Sequence, residues 1–173
     1  MDEPANLQTL RLRLRSFVME DASALFRYAS DAEFSKYLDY DAPKSEDDAI
    51  DFLRMVLAGD MGTNLWAITL TNQSNVIGAV QFDIESPGIA SLHYEIARWL
   101  WGQGLASEAI ATVMDWAKIA HPEIMEVHAN THIENAASRR VLEKFGFKLI
   151  AVENDSAYYI QNLSQDNHPN VMG

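Results

Sequence analysis

The chain has 173 residues, 48% hydrophobic and 22% charged, which is ordinary globular usage at a length that holds one domain with a substantial core. Thirteen Lys and Arg against 25 Asp and Glu give a formal charge of −12, which repels nucleic acid and anionic membrane at long range and suits a cationic partner as well as plain solubility. There is no cysteine for a disulfide, thiolate metal site or nucleophile, no apolar run near the ~18–20 residues of a membrane span, and no secretion signal in Met1-Asp2-Glu3-Pro4, so the expected compartment is the cytoplasm.

The first element alternates, with Leu10, Leu12 and Leu14 on one side and Arg11, Arg13 and Arg15 on the other; period two predicts a strand with one buried face. From Met19 the spacing becomes helical, through Ala22, Leu25, Phe26 and Ala29, with Glu20 and Asp21 suited to a first turn. Ser45-Glu46-Asp47-Asp48 resembles a capping box, followed by the stripe Ala49, Ile50, Leu53, Leu57 and a stop at Gly59. Strands over 65–70 and 76–83 flank the polar tetrad Thr71-Asn72-Gln73-Ser74, an antiparallel hairpin. A strand over 90–97 sets Leu92, Tyr94 and Ile96 on one face and Ser91, His93 and Glu95 on the other. A helix over 105–119, a strand over 124–131, a helix over 135–145 stopped by Gly146, and strands over 147–152 and 157–163 complete the domain. Residues 1–163 read as one mixed α/β (α+β) domain with a mainly antiparallel first half, and 164–173 as a flexible C-terminal tail.

Trp101-Gly102-Gln103-Gly104-Leu105-Ala106-Ser107-Glu108 lies between a strand and an amphipathic helix. Small residues at 102, 104 and 106 allow a tight turn and a close approach to backbone amides. The first N–H groups of a helix have no internal partner, so such a turn suits a phosphate, although glycine also serves turns for geometry alone. Ser107 can add a hydroxyl or cap the helix. No Lys follows Gly104, as a P-loop requires, and Ser107 stands where a dinucleotide fingerprint needs its third glycine.

Three segments resemble one family. Thr9-x-Arg11-Leu12-x-Leu14-Arg15 is similar to the opening strand of GNAT-superfamily N-acetyltransferases, and closest to the subfamily that includes ribosomal-protein N-terminal acetyltransferases. His93-Tyr94-Glu95-Ile96 with the 101–109 segment resembles that subfamily's central strand and pyrophosphate loop. Asn135-x-x-Ser138-x-x-x-Leu142-Glu143-Lys144-Phe145-Gly146-Phe147 resembles its following helix. The resemblance implies a single-domain GNAT fold, with a seven-stranded, mostly antiparallel sheet, splayed middle strands and about four helices. It implies acetyl-CoA as co-substrate: backbone groups of Gly102, Gln103, Gly104, Leu105, Ala106 and Ser107 hold its pyrophosphate. The pantetheine arm pairs with the strand edge near Tyr94 and Ile96, and the Asn135 side chain contacts that arm. Trp101 replaces the superfamily's usual Gln or Arg, and Leu142 stands where many members carry a thiolate-protonating Tyr. Ser138, one turn earlier, is the substitute donor; a small packing residue, or protonation by water, is the alternative.

An amine must lose a proton before it attacks a thioester. Glu95, beside the cofactor strand, is the candidate base; it can equally bind a cationic substrate or lie solvated. His93 and His128 are weaker candidates, His121 and His132 have nothing to recommend them, Glu108 suits a helix dipole, and no histidine spacing suggests a metal. Trp99, Trp101 and Trp116 read as packing residues. The expected partners are acetyl-CoA and a cationic amine, with no nucleic acid or membrane and a homodimer allowed. The expected function is direct acetyl transfer to a primary amine, either a peptide N-terminus or a small molecule. A non-catalytic acyl-CoA-binding or sensing domain is the alternative.

Overall fold

The computed structural model describes residues 4–38, 40–62 and 64–163, so the 164–173 tail expectation lies outside the described residues. In chain order the elements are β1 (Leu7–Gln8), β2 (Leu12–Arg15), α1 (Ala22–Ala29), α2 (Ala32–Ser35), α3 (Glu46–Ala58), β3 (Leu65–Leu70) and β4 (Val76–Ser86). There follow β5 (Ile89–Ile96), α4 (Leu105–Ala120), β6 (Glu126–His132), α5 (Ala136–Lys144), β7 (Lys148–Glu153) and β8 (Ser156–Asn162). Single 3-10 turns at Met19–Asp21 and Arg98–Leu100 precede α1 and follow β5. The strands form one sheet in the order β1-β2-β3-β4-β5-β6-β8-β7, antiparallel except for the β5–β6 pair.

The seven expected strands and four expected helices are all present, joined by two short elements that periodicity could not show. One is β1. The Thr9 N–H donates to the Leu12 carbonyl at 2.9 Å, and the Thr9 hydroxyl oxygen accepts from the Leu12 N–H at 2.8 Å, closing a turn between β1 and β2. Leu10 therefore sits on a turn and is 92% exposed, not part of the buried strand face that its alternation with Leu12 suggested. The other is α2, held by Asp31, whose carboxylate accepts from the Glu33 and Phe34 N–H groups at 3.0 and 3.1 Å. The helix expected from Met19 opens as a 3-10 turn, because buried Asp21 accepts the Val18 N–H and a two-pronged pair from Arg15 at 2.7 and 2.8 Å. The capping box of α3 forms as the sequence predicts.

The central strands are buried on both faces. Along β3, Trp66 and Ile68 enter the larger core cluster with α4, while Leu65 and Ala67 enter the smaller cluster with α1, α2 and α3. This two-sided burial is why β3 and β4 read as near-continuous apolar runs. The larger cluster reaches α5 through Leu142.

β5 stays paired with β4 as far as Ile96, but pairs with β6 only at Ile89, Ala90 and Ser91. Past Ser91 the two parallel strands part, leaving one edge of β5 without a neighbouring strand.

Candidate active site

A cleft of ≈ 1000 Å³ occupies this gap and continues across the sheet. Tyr94 and Ile96 of β5 line it, with Gly102 and Gly104 of the turn, Leu105, Ala106 and Ser107 of α4, and Asn135 and Ser138 of α5. Glu95 lines its other half. The cleft thus gathers the sequence-predicted residues, with the exception of Gln103, which is exposed beside it.

The turn is built for close backbone approach. Gly104 is the N-cap of α4 at φ +75° and Gly102 lies at φ +76°, both in the left-handed region. The first intrahelical bond runs from the Glu108 N–H to the Gly104 carbonyl at 3.1 Å, so the N–H groups of Leu105, Ala106 and Ser107 have no partner within the helix. Oriented donors at the positive end of a helix dipole form an anion site. Arg11 clamps the turn from outside. Its guanidinium donates to the Gln103 carbonyl at 2.9 Å and to Glu108 Oε2 at 2.6 Å. The Thr9 hydroxyl donates to Glu108 Oε1. Desolvation works against a charged Glu108, but the bonds from Thr9 and Arg11 outweigh it and hold the carboxyl below its ordinary range. Trp101 adds a second tie: its indole N–H donates to the Ile96 carbonyl at 2.6 Å, so that group of the β5 edge is already occupied.

On the opposite wall, Asn135 caps α5 by accepting the Ser138 N–H at 3.1 Å, which commits its side-chain carbonyl and leaves the NH2 group for other contacts. The hydroxyls of Tyr94 and Ser138 lie 2.8 Å apart, either able to donate, and the Tyr94 hydroxyl also reaches the Ser138 carbonyl at 3.2 Å. Burial pushes the Tyr94 phenol up to about 12, against a smaller opposing effect of the Ser138 bond. At neutral pH this is an intact pair of proton-bearing hydroxyls. Leu142 is 1% exposed, a core side chain with no access to the cleft.

Glu95 sits on the β5 face away from Tyr94. Its two oxygens accept from the Tyr28 and Tyr40 hydroxyls, each at 2.7 Å. Tyr28 is fully buried, and burial first and the Glu95 charge second raise its pKa well above the ordinary phenol value, keeping it a donor. Gly78 of β4 faces Glu95 and Ile96 so closely that a Cβ there would lie 2.1 Å from the Glu95 carbonyl oxygen. His93 lines the cleft on the Glu95 side. His128 lies outside it, 3.3 Å from Glu126. His132, which nothing in its sequence surroundings singled out, is a lining residue tilted against Tyr37 at 5.3 Å. Trp116 packs edge-on against Trp66, and Trp99 lies under Arg27.

Charge of both signs lines the cleft. Arg140 and Lys144 of α5 bring positive charge to the lining, and Asp83 of β4 and Glu95 of β5 bring negative charge. Burial raises the pKa of Asp83, with Gln81 and His93 working against the shift. Sequence reading missed Tyr28, Tyr40 and the Arg11 clamp. Tyr28 of α1 and Tyr40, between α2 and α3, are far from β5 in the chain, and Arg11 read as an outward strand residue within the family's opening motif, with nothing local to pair it with Glu108. Among the described residues, no group of three or more His, Asp or Glu is placed to hold a metal ion, and no helix is long and apolar enough to cross a membrane.

Residues 11–148 match the family model of the acetyltransferase (GNAT) domain. The uncharacterized N-acetyltransferases p20 of Bacillus licheniformis and YoaA of Bacillus subtilis (strain 168) are each 30% identical over 146 residues, covering 82% of this chain and 82% of theirs. Among solved structures, a GNAT-family acetyltransferase from Bacillus anthracis superposes with a TM-score of 0.78 at 21% identity, covering 91% of this chain and 98% of that one. RimL, a ribosomal L7/L12 α-N-protein acetyltransferase bound to coenzyme A, gives 0.77 at 19% identity, with coverage of 91% and 98%. MccE, a microcin C7 self-immunity acetyltransferase bound to acetyl-CoA and AMP, gives 0.75 at 16% identity, with coverage of 90% and 94%. The chain belongs to the GNAT acetyltransferase family, and is an acyltransferase.

Proposed function

We propose that this acyltransferase moves the acetyl group of acetyl-CoA directly onto a primary amine within a ternary complex. The observation that carries this reading is the continuity of one cleft, from the unpaired N–H groups of Leu105–Ser107 past the open edge of β5 to the Glu95 carboxylate. The residues fit acetyl-CoA. The α4 terminus and the Gly102–Gly104 turn suit its pyrophosphate, with Arg140 and Lys144 bringing positive charge to the same cleft. The open edge of β5 at Tyr94 suits the amide-bearing arm, and the Asn135 NH2 is a further donor. Bound there, acetyl-CoA supplies the activated acyl group.

Glu95 takes a proton from the incoming ammonium, and the neutral amine so freed then attacks to form the C–N bond. Backbone N–H groups along the open β5 edge stabilise the charge on the acetyl oxygen. As the C–S bond breaks, the nitrogen releases its second proton to water, and the thiolate takes a proton through the Ser138 hydroxyl, bonded to Tyr94, which water reprotonates in turn. Proton removal, proton return and positioning are the parts this chain contributes. The absence of cysteine supports direct transfer over a thioester relay. The Asp83 and Glu95 carboxylates lining the cleft and the net charge of −12 support a cationic acceptor.

The test is CoA release from acetyl-CoA against a panel of amines, with binding of acetyl-CoA followed separately by calorimetry. Amine-dependent release supports the reading. Tight acetyl-CoA binding with no release against any amine favours a sensing domain, for which Leu142 in place of the family tyrosine is the supporting observation.

A further inference from the structure

Given that acyl transfer to an amine is the reaction, the residues around Glu95 carry an inference about the acceptor. We propose that the acceptor half of the cleft takes a primary amine borne on an apolar group the size of a hydrophobic side chain.

The carboxylate that would meet the amine lies in an aromatic setting. Tyr28 and Tyr40 hold its two oxygens, and Phe34 packs edge-on against Tyr28 at 5.4 Å. Such a frame fixes one anion and leaves aromatic surface around it. An ammonium group is accommodated at the carboxylate, and its carbon substituent meets rings and thioethers.

α3 supplies the wall. Its core stripe is Ala49 and Leu53, both buried in the smaller cluster. The exposed positions of its first turn, Glu46, Asp47 and Asp48, are all acidic, as a solvated helix face requires, and Asp51 pairs with Arg54. Phe52 and Met55, three residues apart, break that rule: they line the cleft, and Met55 is 47% exposed. Met61, just beyond α3, lines the same space. Leu57, as exposed as Met55, stays outside the cleft, whereas Phe52, Met55 and Met61 gather on its wall as one apolar surface suited to an apolar ligand.

The Gln81 side chain donates to the Met61 carbonyl at 2.6 Å and so holds the loop that presents Met61, and Gly62 of that loop passes so near Asp83 that a Cβ at 62 would lie 2.5 Å from its Oδ1. Asp83 thus lies against this loop, whereas Glu95 is the carboxylate framed by aromatic side chains. A polyamine or an aminoglycoside would have to desolvate extra ammonium or hydroxyl groups against Phe52, Met55 and Met61, which is unfavourable. A peptide with an apolar first residue and a free arylalkylamine share the favoured chemistry.

The test compares kcat/KM for acetyl-CoA-dependent acetylation of short amidated peptides beginning with Phe, Leu or Met, the same peptides beginning with Ser or Asp, phenethylamine and spermidine. Burial of one apolar side chain predicts about a tenfold to hundredfold preference for the apolar-first peptides over the Ser-first peptide. Phenethylamine turnover comparable to the best peptide identifies a small-molecule acceptor; turnover of peptides alone identifies a polypeptide one. Met55→Asp and Phe52→Ala are expected to erase the preference while leaving the KM for acetyl-CoA unchanged; the exposure of Met55 makes its variant safe for folding. Equal or better turnover of the Ser-first or Asp-first peptide or spermidine overturns this inference while leaving the acetyltransferase reading intact. No transfer to any amine by a protein that binds acetyl-CoA overturns both.

Discussion

The buried Tyr28 hydroxyl donates to Glu95 Oε1 at 2.7 Å, joining the small helical core to the acceptor side of the cleft. Tyr28 and Tyr40 together donate to both carboxylate oxygens and so fix the orientation of the group proposed as the base. Glu95→Gln is expected to lower kcat by about 10²–10⁴, the range for loss of a general base, with the KM for acetyl-CoA unchanged. Tyr28→Phe removes one of the two hydrogen bonds that orient the carboxylate and is expected to lower kcat about tenfold with the KM for acetyl-CoA unchanged, measured by steady-state kinetics. A Glu95→Gln enzyme with unaltered turnover would return Glu95 to a structural role.

Tyr94 carries the pH argument. With its phenol pushed up to about 12, it stays neutral throughout the working range and loses its proton only in strong alkali. The Tyr94–Ser138 pair should thus impose no alkaline decline in rate below about pH 11. Ser138→Ala is expected to lower kcat about tenfold to a hundredfold with little change in acetyl-CoA binding, and Tyr94→Phe to lower it less. An unchanged kcat in Ser138→Ala would assign thiolate protonation to water.

Most of the frame was legible because its signals are local. The capping box at Ser45, the two-sided apolar runs of β3 and β4, and the Gly104 turn each declare themselves within a few residues. The family resemblance pointed to Asn135, Ser138 and the Gly102–Gly104 turn, and the fold places all of them on one cleft. What stayed hidden depends on contacts between distant segments. Nothing in the neighbourhood of Tyr28 shows that its hydroxyl meets a carboxylate 67 positions away. Leu10 misled for the same reason: its alternation with Leu12 is genuine, and a turn closed by Thr9 cuts across it. α2 is four residues long, too short for a helical period to register, and rests on one capping Asp31.

Gly78 offers a test of how tightly Glu95 is held. Its backbone lies under the Glu95 carbonyl, where a Cβ would stand 2.1 Å from the oxygen and 3.0 Å from Ile96 Cα. Both obstacles are main chain and cannot swing aside. Gly78→Ala must push β5 away from β4 at the point where Glu95 and the open edge are set. Overpacking of this kind is expected to cost roughly 1–3 kcal/mol, seen as a lowered midpoint in urea unfolding. kcat should fall as well, because the base and the edge donors shift together. Full stability and activity in Gly78→Ala would mean that β5 has slack the geometry does not suggest.

Arg11 and Glu108 make the sharpest test of the Gly102–Gly104 turn as the proposed pyrophosphate site, because one residue acts through the other. A carboxylate in the first turn of α4 favours the helix dipole but repels an incoming pyrophosphate, and the Arg11 guanidinium at 2.6 Å offsets that repulsion. The pair is partly exposed, with Arg11 side-chain accessibility at 45%, so its effect on folding stability should be small. Its effect on acetyl-CoA should not be. Arg11→Ala leaves Glu108 charged and uncompensated beside the N–H groups of Leu105–Ser107, and is expected to raise the Kd for acetyl-CoA about tenfold, less at high salt. Glu108→Gln alone should change the Kd little. In the double variant the repulsion is gone along with its compensation, so most of the affinity should return, and calorimetric Kd values should show strong non-additivity. Additive losses would mean instead that Arg11 touches the phosphates directly, and that the clamp on the Gln103 carbonyl is incidental to binding.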